Sequence, residues 1–176
     1  MDVQPKNVLY SELTGKVTLI DYGAVVQSGA SGENVRERTW EYSAPEQWSK
    51  QECTRRTDGF AVAGLLIYLV TGEAPFYVRG DREGVAHKKL CLKVVHDAAC
   101  DEREKLLDRT DAFVAPDTQH NAGLDEELDG KPHGLRHLLW MGMRPMKEEP
   151  VRWSCEKLAA ELAKLLAFEE KKGQKK

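Results

Sequence analysis

The feature that most constrains the fold is a run between Asp58 and Gly72 that is apolar on every side of a helical wheel. A helix without a polar face must be surrounded by other parts of the protein, so this run predicts a buried central helix. It is too short, and too often interrupted by glycine, to span a bilayer comfortably. Asp58 precedes the apolar residues and is predicted to cap the helix.

Further patterns indicate a mainly α fold with one short β-hairpin. Two β-rich runs, residues 8–10 and 17–20, are joined by a turn that contains glycine. Apolar residues at helical spacing predict one helix from Leu135 to Met143 and a second through Leu158 to Leu166. Ser154 precedes the second helix and could cap it.

Size, charge and cysteine content narrow the class of protein. The 176 residues suit one domain, and the formal net charge of -3 argues against an electrostatic nucleic-acid surface. We therefore expect no nucleic acid as partner. No signal peptide or transmembrane run is visible, and we expect no membrane as partner either. The four cysteines include no C-x-x-C pair, which argues against a zinc ribbon or a disulfide framework. Reduced thiols fit a cytoplasmic or nuclear location.

One group of potential metal ligands stands out, formed by His87, Cys91, His96 and Cys100. Each residue of a helix advances by about 100°, so the first two share a face and the last two point to the opposite face. Four ligands on opposite sides of one helix cannot surround one zinc ion. We therefore interpret them as ordinary helical histidines and thiols.

Three polar residues near the start point to phosphoryl transfer. Asp2 could orient a hydroxyl, while Asn7 and Asp21 could hold a metal ion. The predicted hairpin would place Asn7 at the start of one strand and Asp21 at the end of the next, so that both oxygen ligands converge. Carboxylate and amide oxygens are ligands that magnesium prefers.

These residues belong to motifs that resemble the eukaryotic protein kinase family. Asp2 to Asn7, then Asp21-Tyr22-Gly23, then Ala44-Pro45-Glu46 follow in the order found in the second half of the kinase catalytic domain. The resemblance implies a kinase C-lobe over residues 1–168 and a charged tail over 169–176. No Gly-rich loop, nucleotide-binding lysine or partner glutamate precedes these motifs, so we expect the N-lobe to be absent.

The resemblance assigns roles to individual residues. It implies that Asp2 orients the attacking hydroxyl, and that Asn7 and Asp21 bind magnesium and, through it, ATP. Gln4 occupies the position at which serine/threonine kinases usually carry a lysine, and Lys6 is a substitute cation. Tyr22 differs from the usual phenylalanine by a hydroxyl and is expected to keep its packing role.

Residues 21–46 resemble an activation segment. Thr39 falls where serine/threonine kinases use a hydroxyl to brace the catalytic aspartate, which favours serine/threonine specificity, and Arg38 replaces the usual glycine. Ser28 and Ser31 are phosphorylation candidates, although exposed serines in Gly-rich loops are common, and we favour that ordinary interpretation.

Three other residues have structural roles by the same resemblance. Asp58 matches an acid that braces the catalytic loop. Glu46 and Arg152 match a buried ion pair that joins distant parts of the lobe.

Residues 80–134 fit the family pattern poorly. Two charged helical runs, 87–99 and 102–114, are followed by a polar stretch with several glycines and prolines. We interpret the segment as an insertion, either a solvated elaboration that binds something or, preferably, a loosely ordered spacer.

Two hypotheses for function follow. The first is the catalytic half of an ATP- and magnesium-dependent protein serine/threonine kinase, with a protein substrate and with negligible activity as an isolated chain. The second is a non-catalytic, pseudokinase-like module that binds a regulatory protein partner. Without a covering N-lobe, apolar side chains from Val3 to Leu9 are expected to be exposed and to favour self-association.

Overall fold

A computed structural model describes residues 2–32, 39–97, 101–111, 134–146 and 151–173. Within them, the helices are α1 (Arg55–Thr71), α2 (Val85–His96), α3 (Asp101–Asp111), α4 (Leu135–Met143) and α5 (Cys155–Gly173), and strands β1 (Val8–Ser11) and β2 (Lys16–Leu19) form an antiparallel hairpin. Short 3-10 turns span Pro5–Asn7, Trp40–Tyr42 and Pro45–Trp48. The prediction of a mainly helical chain with one short hairpin is confirmed.

The hairpin pairs Val8 with Leu19 and Ser11 with Lys16. The predicted exposure of residues 3–9 is wrong at its start, because Val3 is only 5% exposed. The hairpin and the residues after it carry the exposed apolar side chains instead, namely Leu9, Tyr10, Leu13, Val17, Ile20, Tyr22 and Val25.

Helix α1 begins one turn earlier than the sequence pattern predicts. Thr54 is the N-cap, since its Oγ1 accepts a hydrogen bond from the Arg56 amide at 3.2 Å. The Thr57 hydroxyl returns the interaction by accepting from the Thr54 amide at 2.9 Å, which completes a capping box. The prediction that Asp58 caps the helix is therefore wrong, and Asp58 lies within its first turn.

The burial of α1 is complete only along part of its length. Phe60, Ala63 and Ile67 are fully buried, whereas Leu69 is 67% exposed. The expectation of burial on every side is therefore wrong near the C-terminal end, because no described helix covers that side.

The core forms where α1 packs against α4 and α5. Gly142 of α4 faces Ala63 of α1 so closely that a Cβ atom at Gly142 would lie 2.6 Å from the Ala63 Cβ. Glycine thus permits the two helix backbones to approach. The Phe60 ring stacks on Phe76, with centroids 5.7 Å apart, and extends the core towards the chain that leaves α1.

The first part of the supposed insertion belongs to this core. Leu107 of α3 and Val94 of α2 are fully buried. Arg103 donates from Nε to the Val94 carbonyl and from Nη2 to the Asp97 carbonyl, each at 2.7 Å, and its guanidinium lies 4.0 Å from the Trp140 ring centroid. The spacer interpretation is therefore wrong for residues 85–97 and 101–111, while residues 98–100 and 112–133 lie outside the described part of the chain.

The remaining predictions for helices hold with small changes. Ser154 caps α5, since its Oγ accepts from the Lys157 amide at 3.4 Å. Helix α5 continues to Gly173, so the first residues of the predicted tail are helical. No helix within the described ranges is long and apolar enough to cross a membrane.

Three of the four potential metal ligands lie within the described residues. His87 and Cys91 are buried on one side of α2, whereas His96 is exposed, as helical spacing predicts. Cys100 lies outside the described residues. Among the residues that are described, no group of three or more His, Cys, Asp or Glu side chains could hold a metal ion.

Candidate functional site

Asp2 is held in one orientation by donors from two parts of the chain. Its Oδ1 accepts from the Thr39 amide at 3.0 Å, and its Oδ2 accepts from the Thr39 hydroxyl at 3.2 Å. Gln4 Nε2 also donates to Oδ2, at 2.5 Å. Because both carboxylate oxygens have fixed partners, the carboxylate cannot rotate freely.

Thr39 owes its position to the 3-10 turn that follows it. Its carbonyl accepts from the Tyr42 amide at 3.1 Å and from the Ser43 hydroxyl at 2.8 Å. The turn thus fixes the Thr39 backbone, and the side chain reaches Asp2, which is 37 residues earlier in the chain. Arg38 lies outside the described residues.

Asn7 connects Asp2 to the base of the hairpin. Its side chain is buried, and Nδ2 donates to the Asp2 carbonyl at 2.8 Å. Its own carbonyl accepts from the Ile20 amide at 2.8 Å. The amide oxygen on the other branch of the side chain is the atom that could bind a cation.

Asp21 follows Ile20 directly and therefore lies at the same end of the hairpin as Asn7. Its backbone φ of 61° is in the left-handed region, which residues other than glycine rarely adopt. Its Oδ1 accepts from the Gly23 amide at 3.1 Å, a local bond that supports this conformation. The carboxylate is exposed, so it is open to a ligand.

The neighbouring residues separate into buried and exposed groups. Gln4 is buried against Asp2, while Lys6 is exposed and offers a cation at the surface. Tyr22 is 62% exposed, and its hydroxyl donates to the Leu19 carbonyl at 2.8 Å. The expectation that Tyr22 packs in the manner of the usual phenylalanine is therefore wrong for this structure.

Glu46 and Arg152 form a buried ion pair. Arg152 Nη1 lies 2.5 Å from Glu46 Oε1, and each side chain is 1% exposed although 106 residues separate them. Arg152 Nε donates to the Arg144 carbonyl at 2.6 Å, and its guanidinium lies 4.9 Å from the Phe60 ring centroid. The pair joins the end of the 39–46 segment to the chain before α5.

Asp58 and the two candidate phosphorylation serines lie in or near the segment that joins the hairpin to α1. Asp58 lines a small pocket together with Ser28 and Cys53. Ser31 forms an isolated antiparallel bridge with Glu52, while Ser28 is exposed. The pocket lies between the start of α1 and the segment that follows Asp21.

Other nucleophilic groups are held in their protonated forms. Burial raises the pKa of the Cys155 thiol to about 11, and the nearby carboxylates of Asp58 and Glu156 add to the shift. Burial likewise raises the pKa of Cys91 and of Tyr42 well above their usual ranges. Thiol or phenol nucleophiles are therefore unfavourable at these positions.

His87, interpreted from the sequence as an ordinary helical histidine, lies in a buried polar cluster with Asp81 and Glu41, two residues that the sequence patterns did not single out. His87 is 2% exposed, its Nδ1 lies 2.6 Å from Asp81 Oδ2, and its Nε2 lies 3.6 Å from Glu41 Oε1. Burial opposes ionisation of Asp81, but bonds from the His87 backbone and ring and from the Val85 backbone outweigh it and lower the Asp81 pKa. The sequence signal that could have predicted this cluster is Asp81, an acid that lies four residues before the first residue of α2.

Chemically, the site combines an oriented carboxylate with two potential oxygen ligands for a cation. Asp2 can accept a proton from a hydroxyl, and Asn7 with Asp21 can supply hard oxygen donors at the adjoining end of the hairpin. This combination is suited to phosphoryl transfer.

The chain is similar to known protein kinases. The family described as protein kinase domain matches residues 1–160 of the chain. Serine/threonine-protein kinase PknH of Mycobacterium tuberculosis strain H37Rv is 34% identical over 88 residues, which is 47% of this chain and 13% of that protein. PknF of the same strain is 33% identical over 82 residues, covering 43% of this chain and 17% of PknF.

A eukaryotic protein is similar to the same extent. A probable myosin light chain kinase of Dictyostelium discoideum is 30% identical over 83 residues, which is 47% of this chain and 17% of that protein. The aligned parts thus span between an eighth and a fifth of the length of these relatives.

Proposed function

The chain belongs to the protein kinase family, and on that premise we propose that residues 1–168 form the catalytic C-lobe of an ATP-dependent serine/threonine protein kinase that acts on protein hydroxyls. One observation carries the proposal. The Asp2 carboxylate is braced by both the amide and the hydroxyl of Thr39, from a segment distant in sequence.

Asp2 acts on the substrate hydroxyl in this proposal. Each carboxylate oxygen can accept more than one hydrogen bond, so Asp2 can accept the hydroxyl proton while Thr39 and Gln4 hold it in place. Fixing the carboxylate before the substrate arrives lowers the entropic cost of alignment. Lys6 is close in sequence to Asp2 and exposed, so it can place positive charge near the transferring phosphoryl group.

The donor set around the hairpin end fits magnesium. Asn7 and Asp21 offer an amide oxygen and a carboxylate, both hard oxygen ligands, and they would hold the ion. When bound, magnesium neutralises phosphate charge on ATP. The chain's own contribution is to keep Asn7 beside Asp2 through the 2.8 Å bond to the Asp2 carbonyl.

The function is tested with radiolabelled ATP, a generic protein substrate and the longest natural polypeptide that contains residues 1–176, which we call the complete kinase. Asp21→Asn is expected to abolish transfer, because it removes a charged metal ligand. Glu12→Gln, which changes an exposed acid in the hairpin turn, is expected to leave transfer unchanged. Robust transfer by Asp21→Asn would contradict the proposal.

The 176 residues expressed alone provide a second measurement. They contain no Gly-rich phosphate loop and no nucleotide-binding lysine of the family type, so we expect negligible transfer and only weak, magnesium-dependent ATP binding. Isothermal titration with and without magnesium measures this binding. Micromolar affinity without the cation would contradict the assigned roles of Asn7 and Asp21.

A second candidate function is a non-catalytic, pseudokinase-like interaction module. The exposed apolar side chains of the hairpin favour it, since Leu13 is 96% exposed and Val17 is 62% exposed. We expect the isolated chain to self-associate, as measured by sedimentation velocity over a concentration series. Leu13→Ser with Val17→Thr should reduce the association, whereas Leu166→Ser at an exposed site on α5 should not. A strictly monomeric chain would reject the self-associating hairpin.

We also propose where the protein is located and what it acts on. Cys53, Cys91 and Cys155 are present as thiols, which is consistent with a cytoplasmic or nuclear kinase that acts on protein substrates.

A further inference from the structure

We propose that His87 is a positioning residue that holds the Trp40–Tyr42 turn in place and thereby keeps Thr39 on Asp2. The effect on catalysis rests on the proposed kinase function, whereas the effect on the turn is a property of the fold alone. His87 itself makes no contact with Asp2, so its influence passes through the turn.

Asp81 fixes the orientation of the His87 ring. Asp81 Oδ2 accepts from the His87 amide at 2.8 Å and lies 2.6 Å from His87 Nδ1. The other oxygen, Oδ1, accepts from the Val85 amide at 3.1 Å. An ionised carboxylate only accepts hydrogen bonds, so Nδ1 carries the hydrogen, and Nε2 accepts from the Val78 amide at 3.2 Å. Asp81 therefore fixes both the first turn of α2 and its histidine.

The opposite side of the ring lies against the turn that follows Thr39. His87 Nε2 is 3.6 Å from Glu41 Oε1; both atoms are hydrogen-bond acceptors, so this is a packing contact and not a hydrogen bond or an ion pair. The Tyr77 ring meets the imidazole edge-on, with centroids 6.0 Å apart. His87 is fully enclosed, whereas the Glu41 side chain is 25% exposed. The imidazole therefore separates the 77–81 loop from the Trp40–Tyr42 turn and fills the space between them.

The same turn of α2 also holds Trp40. Gly84 has a φ of 72°, and a Cβ atom there would lie 2.5 Å from Trp40 ring atoms, so the helix start rests directly on the indole. Lys88 Nζ lies 4.1 Å from the Trp40 ring centroid. The two residues that follow Thr39, Trp40 and Glu41, thus both contact the first turn of α2.

Thr39 transmits this placement to Asp2. The Tyr42 amide bonds to the Thr39 carbonyl at 3.1 Å, so Thr39 moves with the turn. The amide and the hydroxyl of Thr39 are both donors to Asp2, and a shift of the turn would lengthen the two bonds together. His87 is the buried polar side chain that opposes such a shift from the α2 side.

The test measures amide hydrogen exchange of Thr39 by NMR in the 176-residue chain. His87→Leu keeps the bulk but removes the ring bonds to Asp81 and Val78, which hold the ring against the turn. The looser packing is expected to speed Thr39 exchange about fivefold, the effect of about one net hydrogen bond. The Leu158 amide, which bonds to the Ser154 carbonyl at the start of α5, is a reference away from the turn, and its exchange should be unchanged. Lys89→Gln, at an exposed position on α2, is the matched control.

Two conservative variants separate positioning from simple packing. His87→Gln places an acceptor near the Nε2 position and should restore most of the Thr39 protection, while His87→Asn keeps only a donor for Asp81 and should restore less. If His87→Leu does not fold, Asp81→Asn replaces it, because it keeps the volume but weakens the hold on the ring. Unchanged Thr39 exchange in the folded variants, or equal exchange in Gln, Asn and Leu variants, would overturn the proposal.

The complete kinase supplies the catalytic readout. The His87→Leu variant should lower kcat about fivefold with little change in the KM for ATP, because His87 contacts no nucleotide-binding residue, and His87→Gln should recover kcat. A lower kcat that neither substitution rescues would overturn the positioning role. Absence of transfer by the unmodified kinase would reject the proposed function instead, and the exchange measurement would still decide the role of His87.

Discussion

Replacing Glu46 with alanine is expected to lower the free energy of unfolding by about 3–5 kcal/mol, because it leaves Arg152 charged and unpaired in the core. Both side chains are 1% exposed, so water cannot replace the lost partner. Arg152→Ala should have a similar effect for the same reason. Thermal and denaturant unfolding of the two single variants measure the change, which is a large part of a domain's stability of roughly 5–15 kcal/mol.

A double-mutant cycle and a surface pair provide the controls. Glu46→Ala combined with Arg152→Ala should cost less than the sum of the single changes, because neither charge is then stranded. Glu73→Ala breaks the pair with Arg109, whose side chains are 71% and 37% exposed, and should cost only about 0–1 kcal/mol. Small, additive effects of the buried pair would show that the two charges do not depend on each other.

Replacing Asp2 with alanine in the complete kinase is expected to lower kcat by about 10²–10⁴-fold, the usual contribution of a positioned acid or base. Thr39→Val should cause a smaller loss, because the variant keeps the amide bond to Asp2 Oδ1 and removes only the hydroxyl bond to Oδ2. Initial rates of phosphate transfer at saturating ATP measure both effects.

The controls for Asp2 distinguish chemistry from folding. Thr39→Ser keeps both donors and should retain near-normal kcat, and Glu12→Ala in the exposed hairpin turn should do the same. The Asp2→Ala variant should still unfold cooperatively, at a cost of about 1–3 kcal/mol, because Thr39 and the buried Gln4 lose the carboxylate as acceptor. Normal kcat in a folded Asp2→Ala variant would remove Asp2 from the mechanism.

Much of the fold could be predicted from local patterns. The hairpin was predicted because two short β-rich runs flank a turn, and α4 and α5 because apolar residues recur at helical spacing. The motif order placed Asp2, Asn7 and Asp21 in one region, since strands of a short hairpin bring their ends together. The contact between Glu46 and Arg152 was predicted from the family resemblance, although the two residues are far apart in sequence.

Other features depended on which residues meet in three dimensions. Thr54 and Asp58 are both residue types that cap helices. Thr54 is the cap because α1 begins at Arg55, directly after it. Arg103 has the charge of a surface residue, yet it is 8% exposed because carbonyl groups at the end of α2 and the Trp140 ring enclose it. Its burial converts a predicted spacer into part of the core.

By itself, the sequence determined the type and order of the elements and the residue types available for phosphoryl transfer, because periodicity and motif spacing are properties of neighbouring residues. The tertiary structure decided that Thr39 braces Asp2 across 37 residues, that His87 is buried beside Asp81 and Glu41, and that Tyr22 is exposed. The physical reason is that the burial and hydrogen bonding of a polar side chain depend on partners from distant segments, whose approach is set by the packing of the whole core.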